Sequence, residues 1–105
     1  MVKEQSVQSK FIKFLKSKGC YVMKVQASSF VPKGTADIFW CYRKAYGWLE
    51  AKASKYSEKQ VGQQQFIERM NGWGVFACFV FPENFEEVKR RIDGIIKEED
   101  GKVQE

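Results

Sequence analysis

Gly34-Thr35-Ala36-Asp37-Ile38-Phe39-Trp40-Cys41-Tyr42-Arg43-Lys44-Ala45-Tyr46-Gly47-Trp48-Leu49-Glu50-Ala51-Lys52 is the stretch that decides how this chain folds. Asp37 to Tyr42 is dense in β-branched and aromatic residues, Arg43 to Gly47 supplies a turn, and Trp48 opens a second apolar run, so the pattern predicts a β-hairpin. Successive strand residues point to opposite faces, which puts Glu50 and Lys52 on one face and Leu49 and Ala51 on the other. When a hairpin loop holds an even number of residues, cross-strand partners have numbers that sum to an odd value. Asp37 and Glu50 satisfy this, so Asp37 is expected on the face of Glu50 and Lys52; an odd loop or a bulge would separate them.

Charges inside strands need a reason, because a carboxylate taken out of water without a partner costs on the order of several kcal/mol. Two carboxylates and a lysine on one face suit phosphodiester hydrolysis. The acids can hold a hard divalent cation that activates water, and the lysine can orient the attacking water or stabilise charge on the phosphate. For an isolated Glu-x-Lys, a structural ion pair between Lys52 and either acid on an exposed sheet face is much the commoner explanation, and the motif alone is weak evidence.

Outward from the hairpin, Glu4 to Lys18 reads as a helix with Val7, Phe11, Phe14 and Leu15 on its apolar side and Gly19 as its stop. Glu4 either faces inward toward the sheet or simply favours the positive end of the helix dipole. Cys20 to Val25 reads as a strand, and Gln26 to Thr35 as a polar connection. There Lys33, Ser28 and Ser29 are candidates for contact with a nucleic acid, with Lys55 beyond the hairpin, although serine-rich loops usually just turn the chain. Gly34 permits close approach to a phosphate or a positive φ. Ser57 reads as the N-cap of a helix from Glu58 to about Asn71, with Val61, Phe66, Ile67 and Met70 as its buried side and Gln63 on or beside that face. Val75 to Phe81 is a strand covered on both faces, and Glu83 to about Glu99 a last helix through Phe85, Val88, Ile92, Ile95 and Ile96. Residues 100–105 are expected to fray. The order αβββαβα predicts an α/β fold, a central mixed β-sheet of about four strands flanked by helices.

Composition narrows the chemistry. A chain of 105 residues suits one domain, with 44% apolar residues to build its core. The absence of histidine excludes Ser-His-Asp and Cys-His catalysis and HExxH metalloproteases, and there is no GxxxxGK[ST] phosphate loop. No apolar run reaches the roughly 18 residues of a membrane span, and no hydrophobic leader follows the first charges. Cys20, Cys41 and Cys78 lack the paired spacing of a zinc site and read as reduced thiols, which points to the cytoplasm. Net charge is +5, and residues 1–82 carry 13 basic against 5 acidic side chains. That basic excess suits a polyanion, or mere solubility.

The chain resembles the PD-(D/E)XK nuclease superfamily, within it the VRR-NUC and Holliday-junction-resolvase-like branch. The likeness runs over most of residues 4–81, from Glu4 through Gly34-x-x-Asp37 and Glu50-x-Lys52 to Gln63 ahead of Phe66 and a closing Gly74. Ala36 stands where the name-giving proline is usual, and no Val-Arg-Arg stretch is present. The resemblance implies a restriction-endonuclease-like core. It also implies Mg²⁺ or Mn²⁺ held by Asp37, Glu50 and the Ala51 carbonyl, with Glu4 acting through a metal-bound water, Lys52 as the catalytic lysine and Gln63 reaching a phosphate or a metal water. It implies DNA, possibly branched, as substrate, and a homodimer by analogy, with Trp40, Tyr42, Tyr46 and Trp48 as candidate interface aromatics. A catalytically inactive nucleic-acid-binding module on the same fold is the alternative.

Overall fold

The computed structural model describes residues 3–103. The elements follow the expected order: α1 (Glu4–Ser17), β1 (Tyr21–Lys24), β2 (Ile38–Tyr42), β3 (Ala45–Ala51), α2 (Gln63–Gly72), β4 (Phe76–Val80), a 3₁₀ turn (Pro82–Asn84) and α3 (Phe85–Val103). The four strands form one mixed sheet in the order β1-β2-β3-β4, with β3 and β4 parallel and the other pairs antiparallel.

The hairpin closes on the pair Tyr42 and Ala45, leaving Arg43-Lys44 as a two-residue loop with Arg43 at φ 56°. The turn is therefore shorter than the expected Arg43 to Gly47, and Ala45 to Gly47 belong to β3. The loop is still even. Ile38 pairs with Leu49, so one step further along the strands Asp37 stands opposite Glu50.

The two sheet faces are covered unequally. Ile38, Trp40, Leu49, Ala51 and Val80 meet Val7, Phe11 and Leu15 of α1 and Val88, Ile92 and Ile96 of α3 in the main core. Phe11 and Phe85 tie the two helices edge to face with ring centres 5.0 Å apart. On the other face α2 lies over β3 and β4, with Phe66 edge-on to Trp48 at 5.3 Å. The β1–β2 half of that face carries the rows Tyr21-Cys41-Tyr46 and Met23-Phe39-Trp48, in which Tyr21, Met23 and Tyr46 are exposed.

Two further expectations are corrected. The second helix begins at Gln63, not Glu58, because Gly62 caps it in the left-handed region at φ 87°. Ser57 instead accepts the Ser54 N–H in a turn at 3.0 Å, and Val61 is 80% exposed rather than buried. The last helix continues past Glu99 to Val103 where fraying was expected. Its end is pinned to the hairpin loop: Tyr42 Oη donates to Asp100 at 2.5 Å, Arg43 Nε donates to the same carboxylate at 3.2 Å, and the Lys44 N–H donates to Glu99 at 3.1 Å. Residues 104–105 lie outside the described residues.

Candidate active site

Asp37 ends the connection into β2, and Glu50 is the penultimate residue of β3. Their cross-strand placement is reinforced by side chains. The Asp37 N–H donates to Glu50 Oε1 at 3.1 Å, and the Ala51 N–H donates to Asp37 Oδ1 at 3.3 Å. Each carboxylate takes a further bond from a helix: Gln8 Nε2 of α1 donates to Asp37 Oδ2 at 2.9 Å, and Gln63 Nε2 of α2 donates to Glu50 Oε2 at 3.0 Å. Gln63 is itself fixed, since its Oε1 accepts the Gln60 N–H at 2.8 Å. Every oxygen of the pair thus accepts one bond and keeps a second lone pair free.

Glu4 joins them. Carboxylate oxygens of Glu4, Asp37 and Glu50 all lie within 4.8 Å of one another. Burial pushes the Glu50 carboxyl up to about 8, the Asp37 charge adds to the push, and the Lys52 charge opposes it. Burial likewise raises Asp37 to about 6, against the hydrogen bonds from Ala51 and Gln8. Acids packed this closely lack sufficient positive charge. A hard divalent cation fits that deficit: the donors are all oxygens, they are preoriented, and Mg²⁺ and Mn²⁺ prefer such ligands. Asp37, Glu50 and Glu4 would hold it. A strand residue sends its N–H and C=O to the same edge, so the Ala51 carbonyl also faces the Asp37 side.

Lys52 is 5% exposed at the end of β3, where its N–H donates to the Val80 carbonyl at 2.9 Å. Among the described residues it forms no ion pair. A buried lysine beside two acids and bound to neither differs from a structural salt bridge.

The acids open onto a cleft of about 1090 Å³ that also holds Ser28, Ser29, Lys33, Gly34 and Gln63. Ser28 Oγ accepts the Phe30 N–H at 3.2 Å, so this serine shapes the loop as well as facing the cleft. Gly34 adopts φ 88°, and a Cβ there would fall 2.5 Å from the Gly62 carbonyl carbon. Glycine is therefore required by contact between the loop and the cap of α2, and the space beside its Cα is filled by backbone. Lys55 does not line the cleft; its N–H donates to Glu83 at 3.2 Å and its Nζ sits 5.1 Å from the Tyr56 ring centre.

Sequence reasoning missed Gln8, Lys59 and Gly62. Gln8 had a signal: it follows Glu4 by one turn and shares the buried side of α1 with Val7, Phe11 and Leu15, where a polar residue needs a partner. Lys59, which lines the cleft, had none. No protein-family model matches the chain, and no curated protein matches it.

Proposed function

We propose that this chain is a Mg²⁺- or Mn²⁺-dependent endodeoxyribonuclease with a restriction-endonuclease-like core, hydrolysing phosphodiester bonds in branched or otherwise structured DNA. The observation that carries the reading is the pair of half-buried Asp37 and buried Glu50, hydrogen-bonded at every oxygen, with unpaired Lys52 beside it.

The cation, when bound, supplies a more acidic water and a Lewis acid for the phosphate oxygens. The chain does the rest. Asp37 and Glu50 hold their oxygens in place through Gln8 and Gln63, so little reorganisation accompanies the reaction. Lys52 orients the attacking water or stabilises the charge that grows on the phosphate. Glu4 completes the acidic cluster from α1, and Lys33 binds a flanking phosphate.

The uncovered half of the sheet supports a homodimer. Tyr21, Met23 and Tyr46 are exposed there in rows that carry no charge, a composition typical of the centre of a protein interface. Trp40 and Tyr42 are withdrawn from the expected interface, Trp40 because it is fully buried and Tyr42 because it packs on the core and bonds Asp100. Free Cys20, Cys41 and Cys78 support a reducing, cytoplasmic setting. No described helix is long and apolar enough to cross a membrane.

The test is cleavage of Holliday-junction, flap and linear DNAs in Mg²⁺ and in EDTA. Asp37→Ala, Glu50→Ala and Lys52→Ala are each expected to slow cutting by about 10²-fold or more. Metal-dependent cutting that survives all three substitutions would sink the assignment.

A further inference from the structure

The cleft is much larger than a hydrated cation needs, and much of its wall is apolar. Val25, Ala27, Val31, Pro32 and Val61 line it beside the carboxylates. Phe30, between the lining residues Ser29 and Val31 but not itself part of the wall, stands 94% exposed, the most exposed of the large hydrophobic side chains, and Val61 of the wall is 80% exposed. Phe30 is not carried on a slack loop. Its N–H is held by Ser28 Oγ at 3.2 Å, the Val31 N–H by the Ser28 carbonyl at 3.2 Å, and the Thr35 hydroxyl by the Pro32 carbonyl at 2.7 Å. Gly34 then locks the base of the loop against Gly62. A lone exposed phenylalanine is unremarkable on a protein surface. One presented by a fixed turn whose flanking residues, Ser29 and Val31, line a cleft that holds two acids is a contact surface in need of an occupant.

The charges nearby say what that occupant carries. Lys33 and Lys59 line the same cleft beside Asp37, Glu50 and Glu58, residues 1–82 hold the chain's basic excess, and a cation bound by the acids would leave the lysines free to meet an anion. An anion with flat apolar parts fits both features. In an intact duplex the base faces are hidden by stacking, and only phosphates and groove edges are offered to a protein. Unpaired nucleotides expose those faces and stack on aromatic side chains. Resting on the nuclease reading of Asp37 and Glu50, we propose that the cleft takes DNA with an unpaired nucleotide next to the scissile phosphodiester, and that Phe30 stacks on its base. Phe30 is then the residue that selects branched, flapped or gapped DNA over a continuous duplex. Lys33 and Lys59 take the flanking phosphates.

The experiment is equilibrium binding of a gapped duplex with 2-aminopurine in the unpaired stretch, and of a fully paired duplex of the same length. Ca²⁺ replaces Mg²⁺ during binding, and cleavage in Mg²⁺ and Mn²⁺ is followed in parallel. The expected result is quenched 2-aminopurine fluorescence on binding, tighter binding of gapped than of paired DNA, and a loss of about 5- to 100-fold on gapped DNA in Phe30→Ala. Phe30→Leu should lose similarly, while Phe30→Trp, which can stack, should restore binding. Because Phe30 buries almost nothing, all three variants should melt as the wild type does. Equal affinity of wild type and Phe30→Ala for gapped DNA overturns the proposal, as does equal affinity of the wild type for gapped and paired DNA. A Phe30-dependent change in sedimentation of the DNA-free protein overturns it as well, since a second copy would then be the occupant. Phe30-dependent binding without cleavage in either metal upholds this inference and refutes the nuclease reading. Cleavage of paired duplex that is indifferent to Phe30 does the reverse, and failure to bind any DNA refutes both.

Discussion

Replacing Asp37 with asparagine should flatten the alkaline loss of stability that the metal-free protein suffers. Burial raises Asp37 from 3.8 to about 6, and burial with the Asp37 charge raises Glu50 from 4.5 to about 8. Folded-state values above the unfolded ones mean that the folded protein holds these protons more tightly. The stability they contribute is full below the unfolded values and is lost as pH rises through about 6 and then about 8. At 1.36 kcal/mol per pH unit the two rises correspond to about 3 and about 5 kcal/mol. The mutual repulsion enters both figures and water reaches the pair through the cleft, so the combined loss is roughly 3–4 kcal/mol. For a domain of this size that is a fall in Tm of roughly 15–25 °C. Asparagine keeps the acceptor for the Ala51 N–H, and Gln8 can turn its amide to accept from the new NH₂, so the packing survives while one charge and its repulsion of Glu50 disappear. The assay is thermal melting in EDTA from pH 5 to pH 9, then at pH 8 with added Mg²⁺. The chain has no histidine, and burial puts Cys20 and Cys78 at about 11, outside this window. The wild type should lose Tm across the range and regain most of it with Mg²⁺; Asp37→Asn should lose less, keeping the share that burial alone imposes on Glu50, and respond weakly to the metal. A wild-type Tm that is flat or rising from pH 6 to pH 9 in EDTA would refute the electrostatic account of the site, as would an identical slope in Asp37→Asn.

Gly34→Ala should destabilise the protein by roughly 2–3 kcal/mol, read by denaturant unfolding, because it combines a left-handed φ with a Cβ 2.5 Å from Gly62 backbone. Met23→Glu should abolish the proposed dimer in analytical ultracentrifugation with little change in the monomer's fold, since the side chain is exposed on the uncovered sheet face. Asp100→Ala should cost roughly 1–2 kcal/mol and speed amide exchange in the last turns of α3, because it removes the acceptor for both Tyr42 and Arg43.

The pairing of Asp37 with Glu50 was legible because strand alternation and an even loop constrain it whatever the loop's length. The loop itself was misread, for a physical reason. Gly47 resembles turn punctuation, yet it lies inside β3, where a Cβ would meet the Phe76 carbonyl at 2.8 Å and the Trp40 indole nitrogen at 2.9 Å. The real turn uses Arg43 at positive φ, a residue type that rarely announces one. Ser57 and Glu58 imitate a helix start, but Gly62 sets the start because its backbone must fit against Lys33 and Gly34. The end of α3 was invisible locally, since Glu99 and Asp100 find partners 55 to 58 residues away. Local pattern identified the elements, and contacts between distant segments set their ends.

The choice of partners for the two acids favours an ion site over a structural one. Two closely packed carboxylates could have been neutralised by arginine or lysine ion pairs, as Asp100 is tied to Arg43 and Glu99 to Lys102 near the C-terminal end of α3. Gln8 and Gln63 instead donate neutral amide protons. An amide orients a carboxylate without cancelling its charge, whereas a cation there would compete with any metal for the same oxygens. The cost appears as the raised values of Asp37 and Glu50 rather than as a collapsed site, since each acid is held from a different helix and from the neighbouring strand. Lys52, buried within reach of Glu50's field and bound to neither acid, fits the same logic: its charge is not committed to an ion pair.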